Sequence, residues 1–227
     1  MKKFILLLLM SIPVYSQMVI TGGADFFFTS SSGLDKFVEK YNQTRSSILT
    51  KKMESLGTMV GWSANLGFAS GIAFDLGYSF HSGQMRAETN PATTSGGTSF
   101  REVDIKVSNF LLGTGAVVAN DQNMALIFPY IEADIQTLSF ETRTNTQSRS
   151  GDVGLIANMG IGGKLFIGIG SGLALMIHPS YNFGLMDVNF NELYEKTSTS
   201  YDFLSDDTKG SFGGFHIRVG LGLLIND

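Results

Sequence analysis

The chain contains no cysteine, which excludes disulfides and a lipid-anchored N-terminal cysteine. Past residue 16 no segment reaches the run of about 18 uninterrupted apolar residues that a membrane-spanning helix requires. Basic charge is not in excess: 16 Lys and Arg stand against 20 Asp and Glu, a formal net charge of −4, which argues against a nucleic-acid partner. The 3 histidines are scattered, and no His/Asp/Glu group has zinc or calcium spacing, so no metal is expected. The glycines between Gly160 and Gly172 lack both the following lysine–serine/threonine pair and the βαβ context of a phosphate loop. No cofactor is expected.

What is abundant is glycine, 27 of 227 residues, well above the usual fraction of about 7%. Many of these glycines fall inside segments that read as strands. They suit tightly curved strands around a crowded interior. At the front, residues 1–16 read as a secretory signal peptide: Lys2 and Lys3, an apolar stretch over 4–10, and Val14-Tyr15-Ser16 before Gln17. The alternative is a buried strand opening a cytosolic domain. Residues 17–227 are then expected to form one domain.

The last segment carries the strongest pattern. Phe215, Ile217, Val219, Leu221, Leu223 and Ile225 alternate with Gly214, His216, Arg218, Gly220, Gly222 and Leu224. A period of two places each set on its own face of a strand. One face is apolar, and the other holds an arginine, a histidine and glycines. A strand of about ten residues with this polarity suits a transmembrane β-barrel, because a sheet in lipid must close to satisfy its backbone.

Similar alternation recurs over residues 20–28, 60–68, 72–81, 100–118, 124–142, 153–165 and 173–187. The hairpin of 60–68 and 72–81 is the clearest, with Trp62, Leu66, Phe74, Leu76, Tyr78 and Phe80 set against Ser63, Asn65, Asp75, Ser79 and His81. In residues 100–118 the phase blurs at Ser108-Asn109, which reads as a bulge. Connections near 70–71, 119–123 and 166–172 are short, and those over 29–57, 82–99, 143–151 and 188–209 are long. In the first long connection Leu34, Phe37, Val38, Tyr41, Ile48, Leu49, Met53 and Leu56 recur at roughly helical spacing, with Ser32–Asp35 as a capping box. A short helix over the barrel mouth and a partly ordered surface loop are both open readings.

These features resemble the eight-stranded bacterial outer-membrane barrels, the family containing the OmpA membrane domain and the OmpX and opacity-type adhesins. The resemblance covers residues 17–227. It implies an all-β, eight-stranded antiparallel up-and-down transmembrane β-barrel with short periplasmic turns and long external loops. It also implies export to the outer membrane of a diderm bacterium and a monomer in contact with lipid and lipopolysaccharide. The terminal run resembles the signal read by the barrel-assembly machinery, although the chain ends Ile225-Asn226-Asp227 without a terminal aromatic. Trp62, Tyr78, Phe80 and Tyr181 are expected to face lipid.

The inward faces collect Asp25, Asp75, Glu102, Asp104, Lys106, Glu132, Asp134, His178, His216 and Arg218. The interior of so small a barrel is barely wide enough for its own side chains, so these groups are expected to pair as a lumen network. Arg218 and Lys106 should each meet an inward acid, since a buried cation needs a counter-charge. Six acids against two bases also admit a narrow, cation-preferring conduit, the alternative to a structural or adhesin-like barrel acting through its loops and binding an extracellular ligand there. His178-Pro179-Ser180 with Glu192 downstream resembles the His-x-Ser and glutamate of barrel-shaped lipid A deacylases. Those enzymes act on lipid, whereas the alternation turns His178 and Ser180 to the lumen. No catalytic residue is assigned, and no enzyme is expected.

Overall fold

The computed structural model describes residues 17–94, 97–121, 124–197 and 208–225. The signal-peptide reading of residues 1–16 lies outside the described residues. In chain order the elements are β1 (Gln17–Ser30), α1 (Ser32–Thr44), β2 (Leu49–Lys51), β3 (Thr58–Ala69), β4 (Ile72–Thr89) and β5 (Phe100–Asn120). There follow β6 (Met124–Thr144), β7 (Ser148–Gly170), β8 (Leu173–Gly184), β9 (Asp187–Asn189), α2 (Phe190–Thr197), β10 (Lys209–Ser211) and β11 (Gly213–Ile225).

Eight of these strands, β1, β3 to β8 and β11, pair antiparallel with their neighbours in sequence, and β11 returns to β1. The sheet therefore closes into an up-and-down barrel with no free edge. Among the described residues no helix is long and apolar enough to cross a membrane. The strands carry the crossing. On β4 the outward Ile72, Phe74 and Leu76 are 55%, 50% and 61% exposed, and similar residues ring the whole barrel. A water-soluble surface does not sustain so continuous an apolar band, whereas lipid requires it. Trp62, Tyr78, Phe80 and Tyr181 all lie on this outer face, with Trp62 and Tyr78 in ring contact at 5.4 Å.

Strands β4 to β7 continue well past the apolar band at the loop end, and there the polarity of the two faces inverts. On β5 the outward series passes from Leu112 and Phe110 to Lys106, Asp104 and Glu102, while Val107, Ile105 and Val103 turn inward at 0% exposure. The phase is unbroken through Ser108-Asn109, and the ladder irregularities of this strand lie instead between Gly115 and Ala119. The expected bulge is therefore a change of surroundings: below it lipid lies outside and polar side chains inside; above it water lies outside and an apolar core inside.

That core is a plug. Ser31 caps α1, its hydroxyl accepting from the Leu34 N–H at 3.4 Å, so the cap falls one residue before the expected Ser32. Leu34, Phe37, Val38 and Tyr41 form the buried face of α1; Ile48 and Leu49 lie beyond its end. Phe37 and Tyr41 meet Tyr194 of α2 at 5.3 and 6.1 Å between ring centroids, and Phe37 meets Phe140 of β6 at 6.0 Å. Thr142 and Thr197 hydroxyls share a 2.8 Å hydrogen bond that fastens α2 to β6.

The connections differ in extent from the expectation. Residues 143–151 are not a long loop, because β6 runs to Thr144 and β7 begins at Ser148, with the Thr144 N–H donating to the Gln147 carbonyl at 2.8 Å. The connection expected over 82–99 narrows to 90–99 as β4 extends to Thr89. In 188–209 the described residues form β9, α2 and the start of β10, and 198–207 lie outside them. At the opposite end β3 and β4 turn at Ser70-Gly71, and β7 and β8 at Ser171-Gly172, where Gly172 has φ 78, a conformation that favours glycine. The turn expected over 119–123 shrinks to the residues after Asn120, of which 122–123 lie outside the described set.

Part of the glycine surplus has a geometric cause. Bulky lumen residues stand opposite glycines in the ladder: Asp25 and His81 flank Gly61, Asn65 faces Gly77, Asp75 faces Gly67, and Glu132 lies between Gly113 and Gly160. Each glycine vacates the space its neighbour fills; the Tyr130 ring lies directly over Gly113. Gly113→Val is expected to destabilise the folded barrel by about 1–3 kcal/mol through overpacking. Adding Tyr130→Ala should recover part of that loss. Urea unfolding of the two single variants and the double variant measures the coupling; equal losses with and without Tyr130 would refute the space-sharing account.

Candidate functional site

The membrane-level lumen is filled by charge. Arg218 projects from β11 directly opposite Asp25 of β1 in the closing ladder. Its Nε donates to Asp25 Oδ2 at 3.0 Å, and its Nη1 reaches across to Glu132 Oε2 of β6 at 2.7 Å. All three side chains are at most 1% exposed. Charge-assisted hydrogen bonds to two carboxylates satisfy a guanidinium better than one acid could.

Around this centre, His178 Nδ1 lies 3.2 Å from Arg218 Nη1, and the Ser180 hydroxyl donates to Glu132 Oε1 at 3.0 Å. The Asn182 side-chain amide donates to Asp134. His216 Nδ1 stands 3.3 Å from Asp25 Oδ1, and His81 Nε2 stands 2.9 Å from Asp25 Oδ2. Nearer the turn end, Lys164 donates to Asp75 at 2.7 Å and lies over the Tyr130 ring at 4.1 Å. Below that pair a cavity of about 360 Å³ opens at the turn end, lined by Val19, Phe166, Leu224 and Asp75 among others. Above the charged layer sits the apolar plug.

Of the ten expected network members, Asp25, Asp75, Glu132, Asp134, His178, His216 and Arg218 lie in the lumen. Glu102, Asp104 and Lys106 do not. They occupy the outer face of β5 above the apolar band, where the plug claims the inward positions for Val103, Ile105 and Val107. There Arg86 meets Glu102 at 2.7 Å, Arg143 meets Asp104 at 2.5 Å, and Lys106 reaches Glu141 at 3.5 Å. Arg218 thus meets inward acids as expected, whereas Lys106 meets a surface one. The Ser148 hydroxyl, with Lys106 beside it, holds the Glu141 carboxyl below the usual carboxylate range.

Lys164 and His81 also lie in the lumen and are absent from the expected network. Both were within reach of the period-two rule. Lys164 shares the inward phase of Gly160 and Gly162 opposite Ile161 and Leu165, and His81 closes the polar series of β4.

His178 and Ser180 both point inward, and Ser180 is bound to Glu132. Glu192 lies on α2, more than half exposed and paired with Lys196 at 2.8 Å. The three residues resembling a deacylase set are therefore not brought together.

No protein-family model and no curated protein sequence matches the chain. Among solved structures it is similar to a major outer membrane protein from Thermus thermophilus, at 9% identity over 92% of this chain and 99% of that one, with a TM-score of 0.52. It is also similar to Neisserial surface protein A, at 10% identity, 92% and 97% coverage and TM-score 0.49. For Ail, the attachment invasion locus protein of Yersinia pestis, solved with the heparin analogue sucrose octasulfate, the values are 11%, 93%, 100% and 0.49. At such identities the likeness is one of fold. The chain has the fold of the eight-stranded outer-membrane β-barrels.

Removing the central cation leaves two buried acids facing each other. Arg218→Met is expected to destabilise the barrel by about 3–5 kcal/mol, the usual cost of breaking a buried pair from one side. The triple change Arg218→Met, Asp25→Asn, Glu132→Gln should be milder than Arg218→Met alone. Urea midpoints in lipid vesicles check the order; a triple variant weaker than the single one would refute mutual charge compensation as the role of this cluster.

Proposed function

We propose that the chain is a non-enzymatic integral outer-membrane barrel, exported by its N-terminal segment, whose external end acts as a structural or adhesin-like interaction surface. The observation that carries this reading is the double seal of the lumen. Arg218, Glu132, Asp25 and His178 fill one layer at 0–1% exposure, and Phe27, Phe37, Met59, Ile105 and Phe140 fill the next at 0%. A lumen closed by two packed layers supports recognition at the rim over passage through the centre. The turn-end cavity contains no residue of the Arg218 cluster among its lining, so it ends below the seal.

In this reading the long connections face outward and the short turns face the periplasm, as in barrels of this kind. Lipid and lipopolysaccharide surround the apolar band, the barrel-assembly machinery inserts the chain, and one copy suffices. The external end is a rigid platform. It presents the ion-paired outer faces of β4 to β6 and the exposed surfaces of α1 and α2, the kind of scaffolded surface on which recognition concentrates.

Purified protein in planar bilayers is expected to show no steady open channel; a stable, reproducible conductance would establish the conduit instead. Because the chain has no cysteine, single cysteines report orientation cleanly. Lys51→Cys should react with a membrane-impermeant maleimide on intact cells, and Ser70→Cys only after the outer membrane is permeabilised. The reverse pattern would overturn the orientation.

A further inference from the structure

Asp25 of β1, His81 of β4 and His216 of β11 converge on one point of the lumen. Their nearest ligand atoms all lie within 4.8 Å of one another, and each residue is 0% exposed. His81 Nε2 is 2.9 Å from Asp25 Oδ2, yet neither His81 ring nitrogen has a hydrogen-bond partner; His216 Nδ1 bonds Asp25 Oδ1 at 3.3 Å, and its Nε2 has no partner. Buried polar atoms are nearly always paired, so a close approach without hydrogen-bond alignment calls for a different third party. Two ligands of a common ion aim their lone pairs at a point between them. With metal–ligand distances of about 2.0–2.2 Å they sit about 3 Å apart, and His81 Nε2 and His216 Nδ1 stand 2.9 and 3.3 Å from the Oδ2 and Oδ1 of Asp25.

Charge points the same way. Asp25 and Glu132 share Arg218, while Lys164 is matched by Asp75. The carboxylates paired with Arg218 outnumber it by one, and a bound metal cation supplies positive charge beside Asp25. Arg218 Nε, donating to Asp25 Oδ2 at 3.0 Å, orients the carboxylate, and Phe27, stacked on His216 at 4.1 Å, fixes that ring. Hydrogen bonds and packing of this kind commonly orient metal ligands.

We propose that Asp25, His81 and His216 bind a divalent first-row transition-metal ion that ties β1, β4 and β11 together beside the closing seam. Two imidazoles and one carboxylate suit zinc, cobalt, manganese or ferrous iron, and leave positions for water. The ligands come from three strands that meet only when the barrel closes, beneath a plug that seals them. Loading therefore accompanies folding.

The test refolds the tag-free chain with zinc or with EDTA, removes free metal, and measures zinc in the fraction with folded, heat-modifiable mobility. About one zinc per folded chain is expected after refolding with the metal, falling to background in His81→Asn and in His216→Asn. His178→Gln, whose ring faces Arg218 and not Asp25, should keep it. Cobalt should replace zinc and give the visible absorption of a nitrogen- and oxygen-ligated ion. Folded wild type free of zinc and cobalt overturns the site, as does equal zinc in wild type and both histidine variants; the two histidines are then uncoordinated lumen filler. If the variants do not fold, zinc content and cobalt absorption of the wild type decide the matter.

Discussion

The contact on which the barrel depends is the ion pair across its seam. A sheet becomes a barrel only when the first and last strands meet, and here Asp25 and Arg218 stand opposite each other in that last ladder. The same guanidinium reaches Glu132 on the far wall, so one side chain joins the seam to the opposite side of the lumen. The interior imposes this economy. Eight strands enclose little more volume than their own side chains occupy. Each charged group must therefore sit against its partner, and several long side chains stand opposite a glycine. Gly61, Gly67, Gly77, Gly113 and Gly160 leave that room.

The second constraint is the change of solvent along the strands. Within the bilayer the outside is apolar and the inside polar. Past the headgroups the outside is water, and α1 and α2 bring an apolar surface over the lumen. The inversion explains why Glu102, Asp104 and Lys106 share one face with Phe110 and Leu112 on a single unbroken strand. It also makes the long-loop end a small soluble-type core held on a membrane barrel, with Phe37, Tyr41 and Tyr194 at its centre. The charged layer and this core close the same channel by different physics, one by ion pairing and the other by apolar packing.

Much of this was legible before any coordinates. Alternation located all eight barrel strands, and on β1, β3, β4, β8 and β11 it assigned the faces found in the structure. It put Arg218 in the lumen among acids. It misplaced Glu102, Asp104 and Lys106 because it took polar to mean inward along the whole strand, an assumption that holds only where lipid lies outside. The same assumption drew the 143–151 hairpin as a loop, since its residues are polar on the solvent face. Lys164 lies within the 153–165 strand, whose faces were not assigned residue by residue among its glycines.

What the sequence by itself determined is the strand count, the closed architecture and the membrane band, because a period of two and the cost of unpaired backbone in lipid leave little else. Tertiary structure alone decided which charges meet. Asp25, His81 and His216 are far apart in the chain and are brought together by the register of β1 against β3 and β11, and of β3 against β4. The plug was decided in the same way, since α1 and α2 find their apolar partners only above a closed ring. Periodicity is local, whereas charge pairing and plugging depend on which strands the closure sets face to face.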